Sequence, residues 1–125
     1  MINAIERNKS ELCCVWFSLV NYITSTRFQL PKIVQACHRH GIFCLVDLAH
    51  AMGSVPVKLH DWAVDAAAWC SYKYLNSGPG CAGGIFVHEK HKNIAPGMQG
   101  WFGNSRKTQF EMNQFYEPEA DARRF

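Results

Sequence analysis

Charge is scarce in this sequence. Asp, Glu, Lys and Arg make up 18% of the 125 residues, and thirteen Lys and Arg stand against ten Asp and Glu for a net charge of +3. The basic residues are scattered, so no electrostatic footprint for nucleic acid forms. Long apolar runs are missing too: none approaches the ~20 residues that a bilayer-spanning helix needs. The start, Met1-Ile2-Asn3-Ala4-Ile5-Glu6-Arg7, lacks the basic-then-apolar order of a secretory signal. These absences predict a cytoplasmic protein with neither nucleic acid nor membrane as partner.

No Cys-x-x-Cys pair occurs among the six cysteines, Cys13, Cys14, Cys37, Cys44, Cys70 and Cys81. Three of them lie inside apolar runs, where a thiol behaves as a small hydrophobe, so reduced, buried thiols are expected. His38 with His40 and His88 with His91 form two close pairs, but neither has the recurring ligand spacing or the matching second cluster of a zinc site. No metal is expected. Internal repeats and low-complexity segments are absent as well.

What is present is apolar material, 48% of the chain, enough for one core and thus for one domain or part of one. Met1 to Glu11 reads as a short helix. Leu12 to Ser18 is a strand-like run, and Pro31 to His40 has proline in its first turn, Ile33, Val34 and Cys37 at helical spacing, and Gly41 as a stop. Ile42 to Val46 then runs continuously apolar up to Asp47, the pattern of a strand buried on both faces of a parallel sheet. The order strand, helix, strand predicts a β-α-β crossover in an α/β fold. Small residues after Asp47 make a compact connection, with a helical turn at Leu59-His60-Asp61-Trp62. A strand from Asp65 to Cys70 is expected to end at Lys73, and Gly84 to His88 forms a further strand. Glu89 to Asn93 reads as a solvated turn or short helix, and Gly100-Trp101-Phe102-Gly103 as a loop. From Asn104 to Phe125 no periodicity emerges, and the last residues carry no evident cap.

Ligands of open α/β sheets sit beyond the carboxyl ends of the strands. Those ends carry Ser18, Asp47 with His50, and Tyr72 with Lys73. A lysine there can form a Schiff base if its neighbours keep part of its population neutral, and a carboxylate can keep the ring nitrogen of a pyridine cofactor protonated. Pyridoxal 5'-phosphate needs both groups. Ser18 or Tyr72 could supply a hydroxyl to its phosphate, and His50 could orient Asp47 or meet the ring hydroxyl. Singly, Asp47 could equally cap the next turn, His50 be a buried structural histidine, and Lys73 be a surface residue. Their joint occurrence in front of Ser77-Gly78-Pro79-Gly80 favours a cofactor site.

The runs His60-Asp61-Trp62-Ala63-Val64-Asp65, Trp69-Cys70-Ser71-Tyr72-Lys73-Tyr74-Leu75-Asn76, Gly78-Pro79-Gly80, Val87-His88-Glu89-Lys90 and Gly100-Trp101-Phe102-Gly103 closely resemble the kynureninase family. The likeness extends upstream through Asp47-Leu48-Ala49-His50-Ala51 to Ser18. It implies an α/β fold, part of the large domain of a fold-type-I pyridoxal-phosphate enzyme, with a mostly parallel sheet and crossover helices over residues 1–125. It further implies that Lys73 carries the cofactor, that Asp47 pairs with its ring nitrogen, and that His50, Ser18, Tyr72 and Trp101 surround it. Tyr72 would also move protons, and Lys73 would take the α-proton. The implied reaction is hydrolytic cleavage of L-kynurenine or its 3-hydroxy form to an anthranilate and L-alanine, by a homodimer, in tryptophan catabolism.

Two departures stand out. Thr24-Ser25-Thr26 takes the place of the family's Thr-Gly-Gln turn. Family members are also several times longer, so the resemblance places further cofactor and substrate contacts outside this sequence and predicts an inactive chain on its own. The alternatives are an inactive remnant or interaction module, and a cysteine desulfurase-like enzyme sharing the Asp-x-x-His pattern and the lysine.

Overall fold

A computed structural model describes all residues, 1–125. The chain divides into two compact units, Met1–Phe86 and Val87–Phe125.

In the first unit, α1 (Ile2–Asn8) leads into β1 (Cys14–Ser18), α2 (Leu30–His38), β2 (Phe43–Asp47), β3 (Ala66–Trp69) and β4 (Gly84–Val87), the last reaching the unit boundary. The strands lie side by side in chain order, and β1–β2 and β2–β3 are parallel. The β-α-β crossover expected from the sequence is thus formed by β1, α2 and β2. Pro31 lies in the first turn of α2, where its missing N–H has no intrahelical partner to lose. Gly41, at φ +68°, ends the helical segment in a conformation that L side chains rarely adopt, and it lets Ile42 N–H donate to the Cys37 carbonyl (3.1 Å).

The core lies on one side of the sheet. Leu30, Ile33, Val34 and Cys37 of α2 are buried together with Cys44, Val46 and Ala67 of the strands and Ile5 of α1. Each buried aliphatic side chain of this kind contributes about 1.5–3 kcal/mol. Asp65, 4% exposed, pins the layers together: its Oδ2 accepts from the Cys44 backbone N–H (2.7 Å) and meets His38 Nε2 at 2.8 Å. Glu6 ties α1 to the end of α2 through Arg39 and His40, both at 2.8 Å.

Three expectations need correction. β2 is covered on one face only, with Cys44 and Val46 buried and Phe43 exposed. Trp16 of β1, 75% exposed, shows the same open side, and α2 packs on the opposite face. β3 stops at Trp69, so Lys73 rides on the connection that follows rather than on the strand. Of the cysteines, all free, only Cys37 and Cys44 are buried, while Cys13 and Cys81 are exposed.

The second unit is built from short turns. It holds 3-10 segments at Glu89–His91, Trp101–Gly103, Gln109–Glu111 and Ala122–Arg124 and one antiparallel bridge, Asn104 with Pro118. Arg124, 9% exposed, supplies its framework by donating to the carbonyls of Lys92 (2.6 Å), Ile94 (3.4 Å) and Asp121 (3.2 Å). Asp121 Oδ1 accepts from the Arg123 N–H at 2.9 Å and caps the start of the last 3-10 segment.

Candidate active site

Parallel pairing places Ser18 directly beside Asp47 at the carboxyl ends of β1 and β2. The Ser18 hydroxyl donates to Asp47 Oδ2 at 2.7 Å, and Asp47 Oδ1 accepts from the Ala49 N–H at 2.8 Å. Asp47 therefore closes the turn after β2, as its capping reading expects, and its carboxylate is held half-buried. The donor hydrogen of Ser18 is spent on Asp47; in this arrangement the serine orients the carboxylate.

That turn also brings in His50. Its ring lies between Tyr22 and Tyr74, with centroids 6.0 and 6.4 Å away. Neither tyrosine is evident from the sequence as a site residue, since both come from loops whose proximity only the fold creates. Gly53 is the reason the loops meet: at φ +84°, a Cβ there would lie 2.7 Å from the Tyr74 carbonyl oxygen. Only glycine lets this turn rest on the backbone that follows the lysine.

Lys73 is half-buried. Its Nζ donates to Cys70 Sγ (3.3 Å) and to Tyr72 Oη (3.3 Å), and lies 4.8 Å from the Tyr72 ring centroid. Hydrogen bonds to Cys70, then Tyr72, hold the amine above its ordinary value. The sequence argument asked for neighbours that keep it partly neutral; these do the reverse. At Cys70, burial pushes the thiol up, but hydrogen bonds from Lys73 and Tyr72 outweigh it and the net shift is downward. The i, i+3 spacing of Cys70 and Lys73 is the signal that could have found this pair.

Asp47 and Cys70 share a cavity of about 290 Å³ whose other walls are Trp16, Ala68, Trp69 and Gly83. Ser18, Tyr72 and Lys73 do not line it: Ser18 touches the Asp47 carboxylate, and the Lys73 amine touches the Cys70 sulfur. Trp101 belongs to the second unit, where its Nε1 donates to the Gln109 carbonyl (3.0 Å) and its ring meets Phe110 edge-on. A larger cavity, about 410 Å³, surrounds Trp101. It brings together no carboxylate, amine, imidazole or thiol.

Residues 3–121 match the aminotransferase class-V family, and the chain belongs to it. Members of this family use pyridoxal phosphate, and the parallel α/β arrangement is that of their fold-type-I large domain. Within the family the chain is similar to kynureninases. It is 47% identical to the kynureninase of Rattus norvegicus over 114 residues, covering 90% of this chain and 25% of that one. With the Flavobacterium psychrophilum kynureninase the identity is 46% over 120 residues, 94% of this chain and 28% of that one. The chain thus spans about a quarter of the length of the relatives it matches. Among solved structures, the ureidoglycine-glyoxylate aminotransferase of Bacillus subtilis superposes with a TM-score of 0.63 at 26% identity, over 74% of this chain and 23% of that one. A cysteine desulfurase from Thermococcus onnurineus covers 99% of this chain and 30% of its own, with a TM-score of 0.69 at 17% identity, a likeness of fold alone. No helix is long and apolar enough to cross a membrane.

Proposed function

We propose that this chain is the lysine-bearing part of a kynureninase, a cytoplasmic, homodimeric hydrolase that cleaves L-kynurenine or its 3-hydroxy form into an anthranilate and L-alanine. The observation that supports the reading is a carboxylate fixed by Ser18, Asp47, which lines one cavity with Cys70, the residue whose sulfur the half-buried Lys73 amine contacts. The donor set fits pyridoxal phosphate: an amine to bind its aldehyde, a carboxylate for the ring nitrogen, and an imidazole, His50, beside that carboxylate. When bound, this cofactor supplies an electron-withdrawing ring that accepts negative charge from the substrate.

The residues then divide the work. Asp47, oriented by Ser18 and the Ala49 N–H, would hold the ring nitrogen protonated. His50, near Tyr22 and Tyr74, would contact the cofactor. Tyr72 accepts from Lys73 through its oxygen and, in this reading, would turn its O–H from Cys70 to the cofactor phosphate or to proton transfer. Lys73, once free, is the base for the α-proton. Trp101 is carried over from the family resemblance as a further cofactor contact.

Reductive trapping tests the assignment. The chain is incubated with pyridoxal phosphate, reduced with borohydride and digested; the pyridoxyl group is expected on Lys73, with Lys73→Ala abolishing it. Incorporation spread evenly over the surface lysines would overturn the reading.

A further inference from the structure

Cys70 differs from the other five thiols in its surroundings. Cys37 and Cys44 are buried, Cys14 is hydrogen-bonded with Cys13 and thereby held protonated, and Cys81 donates to the Ser77 carbonyl. Cys70 alone faces an ammonium, Lys73 Nζ at 3.3 Å, and lines a cavity open to small molecules. Contact with a lysine favours the thiolate, the form of cysteine that reacts.

We infer that Cys70 and Lys73 form an oxidisable pair, which peroxides convert into a covalent sulfur–nitrogen link that removes the lysine amine from use. The thiolate attacks the O–O bond; an S–O bond forms, hydroxide leaves, and sulfur is oxidised while peroxide oxygen is reduced. Hydroxide takes the ammonium proton, giving water and a neutral amine. With the sulfur no longer anionic, the lysine loses the main contact that kept it charged. The amine then attacks the sulfenic sulfur, an S–N bond forms, and the S–O bond breaks with loss of a second water. In sum, one thiol, one amine and one peroxide give one sulfenamide and two waters. Thiol reductants reverse the link.

This inference stands on the Cys70–Lys73 contact, not on the cofactor, which takes no part in the test. The full chain is treated with limiting hydrogen peroxide at neutral pH, digested with trypsin and mapped by mass spectrometry. The peptide holding Cys70 and Lys73 is expected to lose the mass of two hydrogens, to resist cleavage after Lys73, and to regain both properties with dithiothreitol. Cys70 should react about fivefold faster than Cys13 or Cys81, while Cys37 and Cys44 stay unreacted and report that the fold is intact. Lys73→Arg keeps the charge without a comparable nucleophile, so Cys70 should stay fast and gain oxygen with no cross-link. Reaction of Cys70 no faster than Cys81, or wild-type product that only gains oxygen and is still cleaved at Lys73, would refute the inference.

Discussion

Ser25 sits at φ 55°, in the left-handed region, at the position where the family resemblance leads one to expect glycine. The turn survives because Asn21 holds it: its Oδ1 accepts from the N–H groups of Ile23 (2.9 Å) and Thr24 (3.0 Å), and its carbonyl accepts from Ser25 (2.8 Å). A non-glycine residue there costs about 1 kcal/mol. Ser25→Gly should therefore raise stability by about 0.5 kcal/mol, part of the relief being offset by glycine's greater unfolded-state freedom; a thermal melt with unchanged or lowered midpoint would contradict this. Asp121 offers a pH test. Hydrogen bonds from Arg123 hold its carboxyl at about 2 against an ordinary 3.8. Because the folded value is depressed, its contribution is present above the unfolded value and is lost as pH falls from 3.8 towards 2. Carboxyl NMR should report that low midpoint, and Arg123→Ala should return it towards the ordinary range.

Among the elements, α2 and the two strands flanking it were legible because proline, glycine and helical spacing each act locally. β3 was misjudged by the same logic: apolar residues up to Cys70 predicted pairing that stops at Trp69, since strand length depends on what the neighbouring strand offers. The junction of these elements rests on Asp65. Replacing it with Ala removes the acceptor from the buried Cys44 N–H and the partner of His38, a loss of about 3 kcal/mol. Urea denaturation of Asp65→Ala should show a lowered midpoint; a midpoint equal to the parent's would mean that the contact adds nothing. For the candidate site, Asp47 and His50 could be picked out because they follow the apolar run of β2, and Lys73 because it stands in a tyrosine-flanked motif before a glycine-rich loop. Cys70 was visible only as another thiol, Tyr74 only as a neighbour of Lys73 and Tyr22 not at all, because the closeness of both tyrosines to His50 depends on how the loops fold.

As a whole, the chain has a sheet with one face packed and one open. Trp16, Phe43 and Ile85, all substantially exposed, are apolar positions on strands that parallel sheets ordinarily cover on both sides. The chain also spans about a quarter of the length of its kynureninase relatives. We accordingly expect no turnover of kynurenine by the purified 125-residue chain, even when Lys73 is loaded with pyridoxal phosphate; anthranilate release followed by fluorescence is the measurement, and any turnover lost on Lys73→Ala would overturn the expectation.

The sequence by itself determined the strand-helix-strand order, the positions of Asp47, His50, Tyr72 and Lys73, and the family resemblance, because apolar periodicity, turn residues and short motifs are properties of neighbouring residues. Only the tertiary structure decided that Ser18 orients Asp47, that one face of the sheet stays open, and that Lys73 is paired with Cys70 and held charged. Those outcomes depend on strand register, on which side the helices pack, and on distances between side chains across a turn, none of which is encoded at a single position.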